Sequence, residues 1–297
     1  ATQVTLRRPV MSCTACQTEF EERLLRPWGG GSCRPPTCED CGSGLSRWRV
    51  LCDTPRIMVS KGPIISAAVC SRLIEACRDA LDAQLPTDHD ALNGQDYRSV
   101  PAEACEGFIE ELDACGLIAA AARATGVTAR AGEDIMVART ARSANCTPTT
   151  GMRNLHHDRN QHNDRVATFM VHLSTVNGSG ETFFPAAGAD KRGPFARSLR
   201  QAFERGERWF PRTAEIVTES EGVLRAWREG KADGVGVGIA ASVGTALCWD
   251  SVGARADDGA WHAPCLVTGP EEKYTVSFFK APPPLWAKAW RHKEDSK

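Results

Sequence analysis

The chain has 297 residues, 42% of them hydrophobic and 25% charged, with a formal net charge of −1. That length suffices for one large domain or two smaller ones, and the composition is that of a soluble globular protein. The balanced charge gives no general pull towards nucleic acid or an anionic membrane; no apolar run approaches the ~20 residues of a membrane span, and the opening ATQVTLRRPVMSC lacks the apolar core of a signal peptide.

Five of the thirteen cysteines, Cys13, Cys16, Cys33, Cys38 and Cys41, fall in the first 41 residues. CTAC and CEDCG are two C-x-x-C hooks with 21 residues between Cys16 and Cys38. Each hook presents two thiolates from one tight turn, so Cys13, Cys16, Cys38 and Cys41 together suit a tetrahedral structural zinc. Disulfides or free thiols, with Cys33 and Cys52 as further partners, are the other reading. The irregular WGGGSCRPP between the hooks needs such a staple to fold, so residues 1–53 are read as a small zinc-binding lobe and 54–297 as the main domain. Later cysteines lie on apolar faces and read as small buried hydrophobes of a reducing compartment. That places the chain in the cytoplasm or nucleus, with the secretory lumen as the alternative.

TPRIMVSKGPIIS predicts a strand and turn, and Ser66 is the expected N-cap of a helix reaching Leu85. Its apolar stripe is Val69, Leu73, Cys77 and Ala80, and Pro86 ends it. A polar loop follows, then a second helix from about Pro101 with Cys105, Phe108, Ile109, Leu112 and Cys115 inward. From residue 133 the period changes to two: DIMVARTA, RVATFMVHLST, GTALCWDS, APCLVT and KYTVSFFKA read as strands. Helices followed by strands without βαβ alternation predict an α+β fold, helices packed on an antiparallel sandwich or barrel. Residues from about 186 to 235 form an insertion, FARSLRQAFERGERWF being a candidate amphipathic helix, and a lid or an ornament is expected there.

GMRNLHHDRNQHNDRVAT contains two H-x-D candidates, His156 with Asp158 and His162 with Asp164. Residues i and i+2 of a strand point to one side, so H-x-D offers an imidazole and a carboxylate together. A third ligand must come from elsewhere, and His262 in GAWHAPCLVTG is the candidate. Two histidines and one carboxylate leave open positions, the arrangement that suits non-haem Fe(II).

The residues around these candidates resemble the prolyl 4-hydroxylase branch of the 2-oxoglutarate- and Fe(II)-dependent dioxygenases. The resemblance lies in H-x-D, then Arg165-Val166-Ala167-Thr168, His172-Leu173, SGETFFP at Ser179 to Pro185, Gly244 to Trp249, His262 to Val267, and Lys273. It covers roughly residues 54–282. It implies a double-stranded β-helix (jelly-roll) core with supporting N-terminal helices. The family's motif order selects His156, Asp158 and His262 as iron ligands, because His162-Asn163-Asp164 leaves no loop before the R-x-x-T strand; His157 then points away. Lys273 is expected to bind the far carboxylate of 2-oxoglutarate with the hydroxyl of Thr182, His172 to hydrogen-bond it, and Arg165 to lie near the substrate. O₂ and ascorbate complete the cofactor set, and the products are succinate, CO₂ and a hydroxylated C–H.

The sequence departs from the family pattern in places. Arg153 replaces a tyrosine before the first ligand, His172 replaces the tyrosine of Y-L, Lys273 lies eleven residues after His262, and Phe279 stands where collagen-type enzymes carry tryptophan. These changes bear on substrate contact more than on iron. The implied function is hydroxylation of proline in a peptide or protein. The alternatives are the same chemistry on a free amino acid, small metabolite or nucleobase, or a zinc-lobe interaction module with an inactive barrel. No basic stripe with interleaved aromatics points to nucleic acid.

Overall fold

Alternating and continuous apolar runs become the strands of antiparallel sheets. The computed structural model describes residues 10–12, 19–21, 47–53, 55–85, 95–127, 134–142, 155–158, 165–189, 194–204, 214–232, 234–251 and 260–281. In chain order the strands are β1 (Val10–Ser12), β2 (Glu19–Glu21), β3 (Trp48–Asp53), β4 (Arg56–Ser60), β5 (Gln95–Pro101), β6 (Asp134–Arg142) and β7 (Ala167–His172). They continue with β8 (Thr182–Phe184), β9 (Val237–Ile239), β10 (Ala246–Asp250), β11 (Ala263–Pro264) and β12 (Lys273–Lys280). The helices are α1 (Ala67–Asp82), α2 (Phe108–Ala114), α3 (Leu117–Thr125), α4 (Pro194–Glu204) and α5 (Ala214–Arg228). Among the described residues no helix is long and apolar enough to cross a membrane.

The large sheet runs β3-β4-β10-β7-β12-β6-β5 and the small one β11-β8-β9. The chain passes between them repeatedly: β6 and β7 lie in the large sheet, β8 and β9 in the small, β10 in the large, β11 in the small and β12 in the large. That alternation is consistent with the expected jelly roll. Strands β4, β7 and β10 are buried along their whole length, because both faces of the large sheet are covered. Phe169, Val171, Val276 and Phe278 face outward into a core shared with Leu73, Phe108 and Leu117 of the helices. Met170, Leu247 and Trp249 face inward, where they meet Phe184 and Ile239 of the small sheet.

Several local expectations change. Ser66 does cap α1, its Oγ accepting from the Val69 N–H at 3.3 Å, but the buried stripe is Cys70, Leu73, Cys77 and Leu81. The larger Leu81 takes the core position, and Val69 and Ala80 pack at its rim. The second helix is divided: Ala102–Ala104 form one 3-10 turn, α2 begins at Phe108, and Gly116 at φ 77° separates it from α3. Residues 95–101 pair with β6 over their full length as an edge strand, a position where polar residues are tolerated. Trp48–Asp53, at the end of the expected lobe, form β3 and pair with β4 in the large sheet. The pair β1–β2 flanks the first C-x-x-C in sequence; Cys13, Cys16, Cys38 and Cys41 lie outside the described residues.

The described part of the insertion is an outer layer on the small sheet. Leu199 of α4 and Ile216 of α5 pack with Ala186 and Trp261, while Leu224 packs with Phe183, Ala263 and Cys265. Arg228 donates to both oxygens of Glu181 in the GET motif, at 3.2 and 2.8 Å, a fork that pins α5 beside β8. Neighbouring Trp227 lies so close to β9 that a Cβ on Gly238 would stand 2.5 Å from its ring carbons. Replacing Gly238 with Ala is therefore expected to destabilise the fold by about 1–3 kcal/mol through overpacking. Urea denaturation checks it, and adding Trp227→Leu should recover part of the loss rather than add to it.

Candidate active site

Residues 155–158 run beside β11 through reciprocal backbone hydrogen bonds, His156 N to His262 O and His262 N to His156 O, both 2.9 Å. The period of two then sorts the side chains. Leu155 faces the outer layer with α4 and α5, and His157 packs edge-on against Trp261 at 6.0 Å between ring centroids. His156 and Asp158 face inward, although the structure gives this stretch only an isolated bridge, His156 to His262, and not the strand that the H-x-D reading assumed.

His156, Asp158 and His262 are the one group of three or more such ligands, among the described residues, that could hold a metal ion. Their ligand atoms lie within 4.8 Å of one another. Asp158 Oδ1 is 3.7 Å from Nε2 of each histidine, too far for a hydrogen bond and close enough to share one cation. The other oxygen, Oδ2, accepts from Thr168 Oγ1 at 2.5 Å and Trp249 Nε1 at 3.1 Å. His262 Nδ1 lies 3.0 Å from the carbonyl of Ala260; its proton directed there leaves the Nε2 lone pair for a metal. Burial would raise the Asp158 pKa, but His262, His156 and the Thr168 hydrogen bond outweigh it, and the net shift is downward. Burial lowers His262 to about 4 against the opposing pull of Asp158, so its imidazole is neutral at physiological pH. The site is thus a carboxylate and a neutral imidazole at the protonation metal binding needs. His162 and Asp164, the competing pair, lie outside the described residues.

Arg165 is buried and held on three sides. It donates to the Asp158 backbone carbonyl at 3.3 Å, pairs with Asp134, and lays its guanidinium over Phe279 at 3.8 Å from the ring centroid. It braces the turn that carries Asp158. A second polar centre occupies the same interior. Lys273 and Thr182 are both buried, with Nζ 3.4 Å from Oγ1. His172 is 0% exposed, and neither ring nitrogen has a hydrogen-bond partner among the described residues. In the sequence Thr168 and Trp249 stand within the motifs but carry no signal of a role of their own. The period of two from Met170, also an inward residue, gives only the direction of Thr168; nothing local signals the indole hydrogen bond.

No protein-family model and no curated protein sequence matches the chain. Solved structures do. A prolyl-4-hydroxylase from Pseudomonas putida is 14% identical with a TM-score of 0.40, over 77% of this chain and 95% of that one. A viral collagen prolyl hydroxylase of Paramecium Bursaria Chlorella virus-1, in its 2-oxoglutarate complex, is 17% identical with a TM-score of 0.39, over 78% and 98%. The epimerase SnoN, in complex with Fe³⁺, α-ketoglutarate and nogalamycin RO, is 13% identical with a TM-score of 0.49, over 77% and 80%. At these identities the likeness is one of fold.

Burial first, and then the nearby Lys273 charge, hold His172 well below the usual histidine value. Its folded pKa is below its unfolded one, so its contribution to stability is present above pH ~6.5 and is lost as pH falls from there. The expected loss from this residue is about 1.4 kcal/mol per pH unit in that window. Urea denaturation at pH 7.5 and 5.5 should show a smaller difference for His172→Phe than for the native chain. An equal difference would contradict a neutral buried imidazole.

Proposed function

We propose that the chain is an Fe(II)-, 2-oxoglutarate- and O₂-dependent oxygenase that hydroxylates an unactivated C–H bond. The observation that carries this reading is the set His156, Asp158 and His262, the first half-buried and the other two buried, facing an interior that also holds Lys273, Thr182 and His172. Two imidazoles and one carboxylate suit non-haem Fe(II), and the unpartnered ring nitrogens of His172 beside Lys273 suit an anionic, oxygen-rich ligand. Iron bound there would supply the activation of O₂ that couples decarboxylation of 2-oxoglutarate to succinate and CO₂ with hydroxylation.

The chain's own residues prepare that chemistry. The Ala260 carbonyl fixes the His262 tautomer, and Thr168 and Trp249 orient Asp158. Arg165 braces its backbone. Lys273 and Thr182 offer the far carboxylate of 2-oxoglutarate a charge-assisted hydrogen bond, and His172 offers a ring N–H. Met170, Phe184, Leu247 and Trp249 line the interior with apolar surface that keeps water out. The low dielectric there strengthens each of these contacts.

For the substrate, the finer reading is a prolyl residue of a peptide or protein, supported by the ordered motifs from His156 to Lys273. The departures at His172 and Phe279 favour a second reading, a free amino acid or small metabolite. Cys70, Cys77, Cys105, Cys115, Cys248 and Cys265 are free thiols, and burial pushes Cys77 and Cys248 up to about 12, which makes them inert core residues. That supports a cytoplasmic or nuclear location.

Purified protein with Fe(II), ascorbate and 2-oxoglutarate should form succinate, faster with a proline-rich peptide than with free proline or an oligonucleotide. His156→Ala and His262→Ala should each lower turnover at least ~100-fold by removing a metal ligand. Succinate formation unchanged in both variants would sink the reading. For Cys13, Cys16, Cys38 and Cys41, metal analysis should find one zinc per chain, lost in Cys38→Ser; no zinc would refute the zinc lobe.

A further inference from the structure

Trp249 and Thr168 are direct cross-strand partners, on β10 and β7 respectively. Such pairs hold their side chains ~5 Å apart on one face of a sheet. Here that face is the interior, and both side chains end on the same atom, Oδ2 of Asp158, at 3.1 and 2.5 Å. Oδ1 receives neither; it faces the two histidine Nε2 atoms at 3.7 Å each. The carboxylate is therefore two-sided: one oxygen saturated by protein donors, the other turned to the ligand cluster.

We propose that Trp249 is a positioning residue that fixes Asp158 as a one-oxygen metal ligand. The inference rests on the metal-site reading above and deepens it. An sp² carboxylate oxygen has two in-plane acceptor directions, and two donors fill both of them on Oδ2. Clamping a metal through both oxygens would break at least one of these buried hydrogen bonds. Trp249 cannot follow such a rearrangement, because its backbone is paired on both sides with β4 and β7. Its ring is wedged edge-on against His262 at 4.8 Å and against Phe184 at 5.4 Å between centroids, and only 2% of the residue is exposed. The indole fills the space beside His262 and Phe184 and adds a donor. Because Asp158 gives up one coordination position rather than two, an octahedral ion keeps three free positions beside the two histidines. Those three are the number needed by a chelating 2-oxo acid and O₂.

Cobalt(II) added to the full chain is the probe, read by affinity and by the intensity of its visible absorption, which reports coordination number. Trp249→Phe keeps the aromatic packing and removes the N–H. It is expected to weaken Co(II) binding ~10-fold and change the absorption intensity, with the metal-free melting temperature nearly unchanged. Thr168→Val, which removes the other donor, should shift the spectrum in the same direction. The double variant should show less than the sum, because both donors serve one oxygen. Affinity and spectrum identical to native in Trp249→Phe overturn the proposal while leaving the metal site intact. Native Co(II) binding insensitive to His262→Ala overturns the metal-site reading as well. Should Trp249→Phe fail to fold, ¹⁵N-indole labelling of the unaltered chain decides. The Trp249 Nε1–H is expected to stay protected from exchange before and after Zn(II) is added, and loss of protection on adding Zn(II) overturns the proposal.

Discussion

Two backbone hydrogen bonds between His156 and His262 hold the site together. They join stretches far apart in sequence and bring both imidazoles to one side, with ring centroids 4.3 Å apart. Asp158, two residues beyond the bridge, brings its carboxylate to the same side. Any slip of this pairing by one residue would turn His156 and Asp158 outward and His157 inward. The register is secured by what flanks it. Leu155 is half-buried against the α4–α5 layer and His157 is buried against Trp261, so the outward face has its own apolar demand and resists the slip.

The insertion acquires a physical role from this arrangement. Helices α4 and α5 cover the outer face of the small sheet, which would otherwise expose Phe183, Trp261, Ala263 and Leu155 to water. The Glu181–Arg228 fork joins that cover to the GET motif, adjacent to Thr182 in the interior. Glu181 and Thr182 thus face opposite ways from consecutive positions, one anchoring the outer helix and the other serving the inner pocket. The small sheet is short, and its rigidity comes from this outer layer as much as from its own hydrogen bonds.

The interior combines several charged or titratable groups in a space of low dielectric. Each is held in a defined state by neighbours: Asp158 ionised by its histidines and donors, His262 and His172 neutral by burial. Preorganised groups of this kind need little rearrangement when a metal or an anion arrives, which is the general source of strong electrostatic effects in buried sites.

Much of this was legible in the sequence. The period of two from residue 133 marks β6, β7, β10 and β12, the cap at Ser66 marks the start of α1, and H-x-D with a later histidine marks the triad. Such signals are local, or repeat in a fixed order along the chain. Strand β5 was missed because an edge strand carries polar residues, and the break at Gly116 because a left-handed glycine inside an apolar stripe leaves the pattern intact. By itself the sequence determined which residue types are available for a metal and which faces of the strands are apolar. Only the tertiary structure decided that Trp249 and Thr168 converge on Oδ2 of Asp158, that Arg165 braces the same turn, and that the insertion covers the back of the small sheet. Those contacts join residues from different strands and helices, and their geometry is set by register and packing between sheets, which no single stretch of sequence encodes.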